Sequence, residues 1–193
     1  MLQEQSFSSD ATGAQLSRSG GVQQSLRGGG AFHVVCRDAQ GNVKWEGEKH
    51  NLVVNVGLKD MNDKYFTGSG YTATWYLGLY GAGASNDPAA GDTAASHAGW
   101  TEVVPYSNAT RPAATFAAAT TADPSVITNS AAPAVFNVNA TATVGGAFLI
   151  SDNTKSGTTG VLFSAADFNS PGDRNVADGD TITVTYTFSL DAA

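Results

Sequence analysis

One stretch constrains the fold of this chain more than any other: TITVTYTFS, residues 181–189. Ile182, Val184, Tyr186 and Phe188 alternate without a break with Thr181, Thr183, Thr185, Thr187 and Ser189. A period of two places one set on each face of a β-strand. The apolar face requires a core on one side. The hydroxyl face requires only water or the polar rim of another subunit, because threonine combines high β propensity with no apolar patch.

Other segments repeat the strand pattern. AFHVVCR (31–37), DAQGN and VKWEGE (43–48) read as a hairpin with Gly41-Asn42 at its tip. YTATWYLGLYG reads as a strand with Trp75, Leu77 and Leu79 on one side and Tyr76 and Tyr80 on the other. WTEVVPY, ATFAAAT, SVITNS, AVFNVNATATV, AFLIS and GVLFSAADF follow, and NSPGDRNVADGD turns the chain into the last strand. NLVVNVGLKDMNDKYF holds the helix candidate, with Leu58, Met61 and Tyr65 at i, i+3 and i+7, Phe66 at i+8, Asn55 expected to cap its start and Gly68 beyond its end. Asp92 is expected to cap a short helical turn over 93–97. Short strands broken by Gly, Pro, Asn and Asp predict an all-β, antiparallel β-sandwich of Greek-key or jelly-roll type with one short helix.

The chain of 193 residues is long enough for one domain with a real core. Residues 1–30 stand apart. They are dominated by Gly, Ser and Gln, end in Gly28-Gly29-Gly30, and carry scattered apolar residues at Leu2, Phe7, Leu16, Val22 and Leu26, with the bases Arg18 and Arg27. The expected organisation is an extended N-terminal arm over 1–30 and a β-sandwich over 31–193. The seven named arm residues are the candidate partner contacts, being too far apart to pack on one another.

Net charge is −7, which disfavours nucleic acid as a partner, since phosphate contacts need Lys and Arg. The excess lies in 67–193, where ten acids face Arg111, Lys155 and Arg174, so an acidic face is expected there. The single cysteine, Cys36, shares a strand face with Phe32 and Val34 and reads as a buried thiol. No stretch approaches the ~20 apolar residues of a membrane span, and MLQEQSFSSD lacks the pattern of a signal peptide. No cofactor is expected: GGGAF and GVGLKD lack the Lys-Ser/Thr of a phosphate loop. His33, His50 and His97 have no metal-ligand spacing, and no G-x-S-x-G elbow is present. Asp173, Asp178 and Asp180 read as turn chemistry, since the segment lacks both the D-x-D-x-D-G pattern and a bidentate Glu. The chain therefore reads as non-enzymatic.

The stretches FHVVCRDAQGNVKWEGEKHNLVVNVGLKDMNDKYF, WYLGLYG, SHAGWTEVVPYSNATRP and VADGDTITVTYTFSL resemble, over residues 32–190, small virion structural proteins of tailed bacteriophages, similar to capsid decoration or cement proteins. The resemblance implies a protein made in the host cytoplasm and placed on the capsid exterior. Its implied partners are a major capsid protein and further copies of itself, as a dimer or trimer, with no nucleic acid and no membrane. The alternative is a receptor- or glycan-binding domain of a tail or head fibre, which requires Tyr71, Tyr76 and Tyr106 to face outward as a sugar platform.

Overall fold

The computed structural model describes residues 25–70, 74–81, 87–168 and 172–192. In chain order the elements are β1 (Leu26–Arg37), β2 (Val43–His50), β3 (Leu52–Val53), α1 (Asn55–Phe66), β4 (Trp75–Gly81), β5 (Glu102–Val103) and β6 (Ala113–Ala114), then β7 (Ser125–Thr128), β8 (Ala134–Asn137), β9 (Ala142–Ile150), β10 (Leu162–Asp167), β11 (Arg174–Val176) and β12 (Thr181–Ala192). They form two antiparallel sheets. In the first the order is β2-β1-β12-β7, with β8 also on β12. In the second it is β3-β10-β9-β4-β5, with β11 on β9 and β6 on β4. The chain is thus an all-β sandwich with one helix among the described residues.

The 181–189 pattern falls as its alternation dictates. Ile182, Val184, Tyr186 and Phe188 are buried, and the threonines between them are half-buried on the outer face. β12 is the central strand of its sheet. It pairs with β1 along its whole length, from Leu26 opposite Ala192 to Arg37 opposite Thr181. On its other edge β7 covers 187–190 and β8 covers 181–184. Asn129 fills the gap between them. Its backbone N–H donates to Tyr186 O, its Nδ2 donates to Val184 O, and its Oδ1 accepts from Tyr186 N at 2.7 Å. Asn129 is fully buried, and its amide stands in for missing strand backbone.

The boundary expected at residue 30 falls inside β1. Leu26–Gly30 are strand residues paired with 188–192. Gly30 is glycine for a packing reason: a Cβ there would lie 2.6 Å from Thr187 O and 2.9 Å from Tyr186 Oη. The tyrosine needs that space, because its buried hydroxyl accepts from Asn51 Nδ2 at 3.0 Å and pairs with Ser164 Oγ at 3.2 Å. The part of the arm reading that covers residues 1–24 lies outside the described residues.

There are two cores. The first lies between the sheets and joins Phe32, Val34 and Cys36 of β1 and the β12 column to Leu77, Leu79, Leu149 and Phe163. The second lies on the outer face of the β4-β9-β10 sheet and contains Tyr80, Phe148, Ile150, Leu162 and Ala165 under Ala94 and Trp100. Two cross-strand pairs build it. Phe148 lies over its partner Gly78, and Tyr80 over its partner Gly146. A Cβ on either glycine would come 2.1 Å from the opposing ring. The 93–97 segment that covers this core is not the expected helical turn. Thr93 and Ser96 exchange backbone hydrogen bonds instead, and Asp92 accepts from Ala89 N and Trp100 Nε1.

Three further segments differ from the sequence reading, each where the chain passes between sheets. AVFNVNATATV divides into β8 and β9, because Val138–Thr141 carries the chain from one sheet to the other. Of ATFAAAT only Ala114, the last residue of β6, enters a ladder, and the backbone N–H groups of Ala117 and Thr120 donate to Thr128 O and Val126 O across a short hairpin. The turn NSPGDRNVADGD contains β11, which extends β9.

Val184→Ala is expected to cost about 1–3 kcal/mol, from lost burial and a cavity. Thr185→Ala, one residue along on the half-exposed face, is expected to stay within about 0.5 kcal/mol of wild type. Denaturant melts of the two variants check this, and equal losses would show that β12 is buried on both faces.

Candidate interaction surface

The side chains most like a chemical site surround a crevice of about 220 Å³ on the outer face of the β4-β9-β10 sheet, lined by His97, Trp100, Glu102, Arg111, Phe148 and Ser156 among others. The motif SHAGWTE supplies one wall. Trp100 packs against Tyr80 and Phe148, and the His97 ring stacks on it with centroids 3.9 Å apart. Arg111 supplies the other wall. Its Nε and Nη2 donate to the two carboxylate oxygens of Glu102 at 2.9 and 2.7 Å, and its Nη1 donates to Asp152 O at 2.8 Å. Glu102 also accepts from Ser156 N at 2.6 Å. The two side chains are 2% and 6% exposed, so this is a buried pair with its hydrogen-bonding capacity largely used internally. Breaking such a pair costs roughly 3–5 kcal/mol, because one charge stays behind without its partner. The arrangement staples β5 to the 152–157 loop. It offers neither a free nucleophile nor an uncompensated charge.

The acidic excess is used in the same way. Asp180 accepts from Lys44 and from Ala177 N, and Asp92 holds Trp100. Asp152 accepts from Thr159 and Thr154, and these hydrogen bonds, the Thr159 hydroxyl foremost, hold its carboxyl below the usual range. Glu102 holds Arg111. The acidic face expected of 67–193 is thus in part a set of internal staples. Among the described residues, no group of three or more His, Cys, Asp or Glu side chains is placed to hold a metal ion. Cys36 is buried, and its thiol is pushed up to about 11 by burial, with the Asp180 charge adding to the shift. His33 lies on the outer face against Glu46.

Apolar side chains are exposed on α1. α1 has the predicted stripe, but only its Met61 reaches the core. Gly57 sets the buried side, since a Cβ there would lie 2.4 Å from Phe163 O, so the helix backbone sits directly on β10. Met61 borders the core, whereas Leu58, Tyr65 and Phe66 are 49%, 81% and 76% exposed. The expected Asn55 cap is also absent. Val54 is the capping residue, without a side-chain bond, and Asn55 N donates to Ala90 O.

Of the seven candidate contact residues, Leu2, Phe7, Leu16, Arg18 and Val22 lie outside the described residues. Leu26 and Arg27 are placed at the exposed start of β1, with Leu26 72% exposed. Leu26 stands on the same column as Gly28, Gly30 and Phe32, past the end of the core. A chain of contacts joins this end of β1 to the helix. A Cβ on Gly28 would touch Phe188, the Phe188 ring meets Phe163 edge-on, and Phe163 lies under Gly57. The sugar platform does not form from the residues named for it: Tyr106 is buried, Tyr76 packs against the outer core, and Tyr71 lies outside the described residues. Sequence reasoning identified the helical stripe and missed its direction, for which Gly57 was the available signal.

Asp167 of β10 lies at the rim of the outer core. Burial, a hydrogen bond with Asp87 and the charges of Asp87 and Asp173 push its carboxyl up to about 6, with Lys49 opposing. A carboxyl raised in the folded state is protonated there before it is in the unfolded chain. Stability is therefore expected to fall as pH rises from about 4 to about 6 and to level off above that. Asp167→Asn is expected to flatten this part of the profile in melts taken between pH 4 and 7, whereas an unchanged slope would place the titration elsewhere.

No family model, no curated protein and no solved structure matches this chain.

Proposed function

We propose that this chain is a non-enzymatic structural protein of a virion, a head decoration or cement protein that binds the outside of an assembled capsid. The observation that supports this reading is the exposed α1 stripe of Leu58, Tyr65 and Phe66. It stands on a body whose best-developed charged cluster is paired internally. Large exposed aromatics on a folded body mark a surface that another protein covers. The resemblance of residues 32–190 to small virion proteins supplies the class of partner, a major capsid protein.

The mechanism is mass action. A protein that binds the assembled shell and not its separated subunits shifts the equilibrium toward the shell, by about 2.7 kcal/mol per site at a free concentration a hundred times Kd. Apolar anchors and neutral hydroxyl faces suit this task better than charge does, because their attraction is not screened by salt.

The test is co-sedimentation of the purified full chain with heads assembled without it, followed by heating. Saturable binding and a raised temperature of head disruption are expected. Tyr65→Ser with Phe66→Ser is expected to weaken binding at least tenfold, with little change in the melting of the free protein. No binding to heads, together with binding in a glycan screen, would replace the capsid reading with the fibre one.

A further inference from the structure

Gly146 of β9 has Tyr80 of β4 as its partner on one side and Asp167 of β10 on the other. The Tyr80 ring crosses Gly146 with its hydroxyl end leading: a Cβ on the glycine would lie 2.1 Å from Cζ and 2.3 Å from Oη. The hydroxyl therefore points across the sheet toward β10. There Asp167 shares the outer face with Ala165, since Ala166 between them belongs to the inner core. A second carboxyl, that of Asp87, is in hydrogen-bonding contact with Asp167. We propose that Asp87 and Asp167, with the Tyr80 hydroxyl at their inner side, form a site for a divalent, oxygen-seeking cation of the calcium type.

Two observations point to a ligand. First, two carboxyls in contact do not both ionise unless something positive lies between them, which leaves a shared proton or a cation. The charge of Asp173 adds to the pair and that of Lys49 opposes it, so acids are in excess. Second, Tyr80 is fully buried, and its hydroxyl has no hydrogen-bond partner among the described residues. Burial foremost, and then the charges of Asp167, Asp87, Asp173 and Asp92, hold the proton on that hydroxyl, so it offers a neutral oxygen. A shared proton would satisfy the carboxyls and leave the hydroxyl unpaired. A hydrated cation serves both, because its ligands are the carboxylates and its bound water reaches the hydroxyl. An all-oxygen set selects a hard cation, and calcium tolerates the irregular, partly aqueous shell that an exposed Asp87 implies. Among the described residues no third His, Cys, Asp or Glu is placed to join the pair, so water completes the shell and half-saturation is expected at roughly 0.1–1 mM. Asp87 leads into the segment in which Asp92 holds Trp100 over the outer core and Ala90 O accepts from Asn55 N at the start of α1. A cation shared with Asp167 ties that cover to β10. The proposal does not rest on the capsid reading.

The experiment titrates the full chain with terbium(III), a luminescent stand-in for calcium, at neutral pH under excitation of the aromatic residues. Tyr80 and its neighbour Trp100, with centroids 4.8 Å apart, are placed to sensitise the ion. Saturable emission that calcium displaces is expected, with Asp87→Asn and Asp167→Asn each weakening terbium binding at least tenfold. Absent or unsaturable emission, emission that calcium does not displace, or binding unchanged in either variant would overturn the proposal. A second measurement needs no variant. Calcium at ten times its half-saturating concentration is expected to raise the melting temperature of the wild-type chain by roughly 3–6 °C over sodium chloride of equal ionic strength. Equal melting in the two salts would overturn the proposal as well.

Discussion

The fold depends on β12 having a strand on each side. Its apolar column is the floor of the main core, and its backbone is the axis of its sheet. On one edge it is satisfied by the twelve residues of β1. On the other it is satisfied by two short strands and the side chain of Asn129. That asymmetry explains features that look unrelated in the sequence. The glycine run before Phe32 belongs to the sheet, because β1 must stay paired over Tyr186, and Gly30 clears the space that the tyrosine hydroxyl and Asn51 occupy. Asn129, one polar residue in an ordinary-looking SVITNS, closes a gap that would otherwise leave the backbone of residues 184–186 unpaired inside the protein.

The two sheets solve the problem of their outer faces differently. The sheet of β12 leaves a half-buried face of threonines, His33 and Glu46. The sheet of β4, β9 and β10 is buried on both faces, and the aromatic–glycine pairs Phe148–Gly78 and Tyr80–Gly146 let large rings lie flat across neighbouring strands. Covering that second core takes the segment around Ala94 and Trp100, which is fixed by buried polar contacts centred on Asp92, Glu102 and Arg111. These staples hold the cover in place. Among the described residues, α1 exposes Leu58, Tyr65 and Phe66 without such a role, and the proposed function rests on that contrast.

Much of this architecture is legible in the sequence where the period is clean. The β12 column, the facing of Leu77 and Leu79 against Tyr76 and Tyr80, the burial of Cys36 and the sandwich itself follow from alternation. The rest is decided by contacts between segments far apart in the chain. Nothing local distinguishes Gly30, which a tyrosine hydroxyl requires, from Gly29, whose missing Cβ would meet nothing within 4 Å. Nothing in LKDMNDKYF states which side of the helix β10 will take, and Gly57 decides it by close approach to Phe163. The strands that change sheets at Val138–Thr141 and near Ala114 read as single continuous strands, since a corner leaves no mark on their periodicity.

The central claim is that the β1–β12 ladder runs unbroken from Leu26 to Arg37. Amide hydrogen exchange read along these two strands tests it most directly. Backbone N–H groups of 28–36 that point toward β12 are expected to exchange as slowly as those of Val184 and Tyr186, the slowest in the protein, and the fraying end at Leu26–Arg27 somewhat faster. Exchange of residues 28–30 at the rate of free peptide, with protection starting only at Ala31, would contradict the account and return the glycine run to the arm.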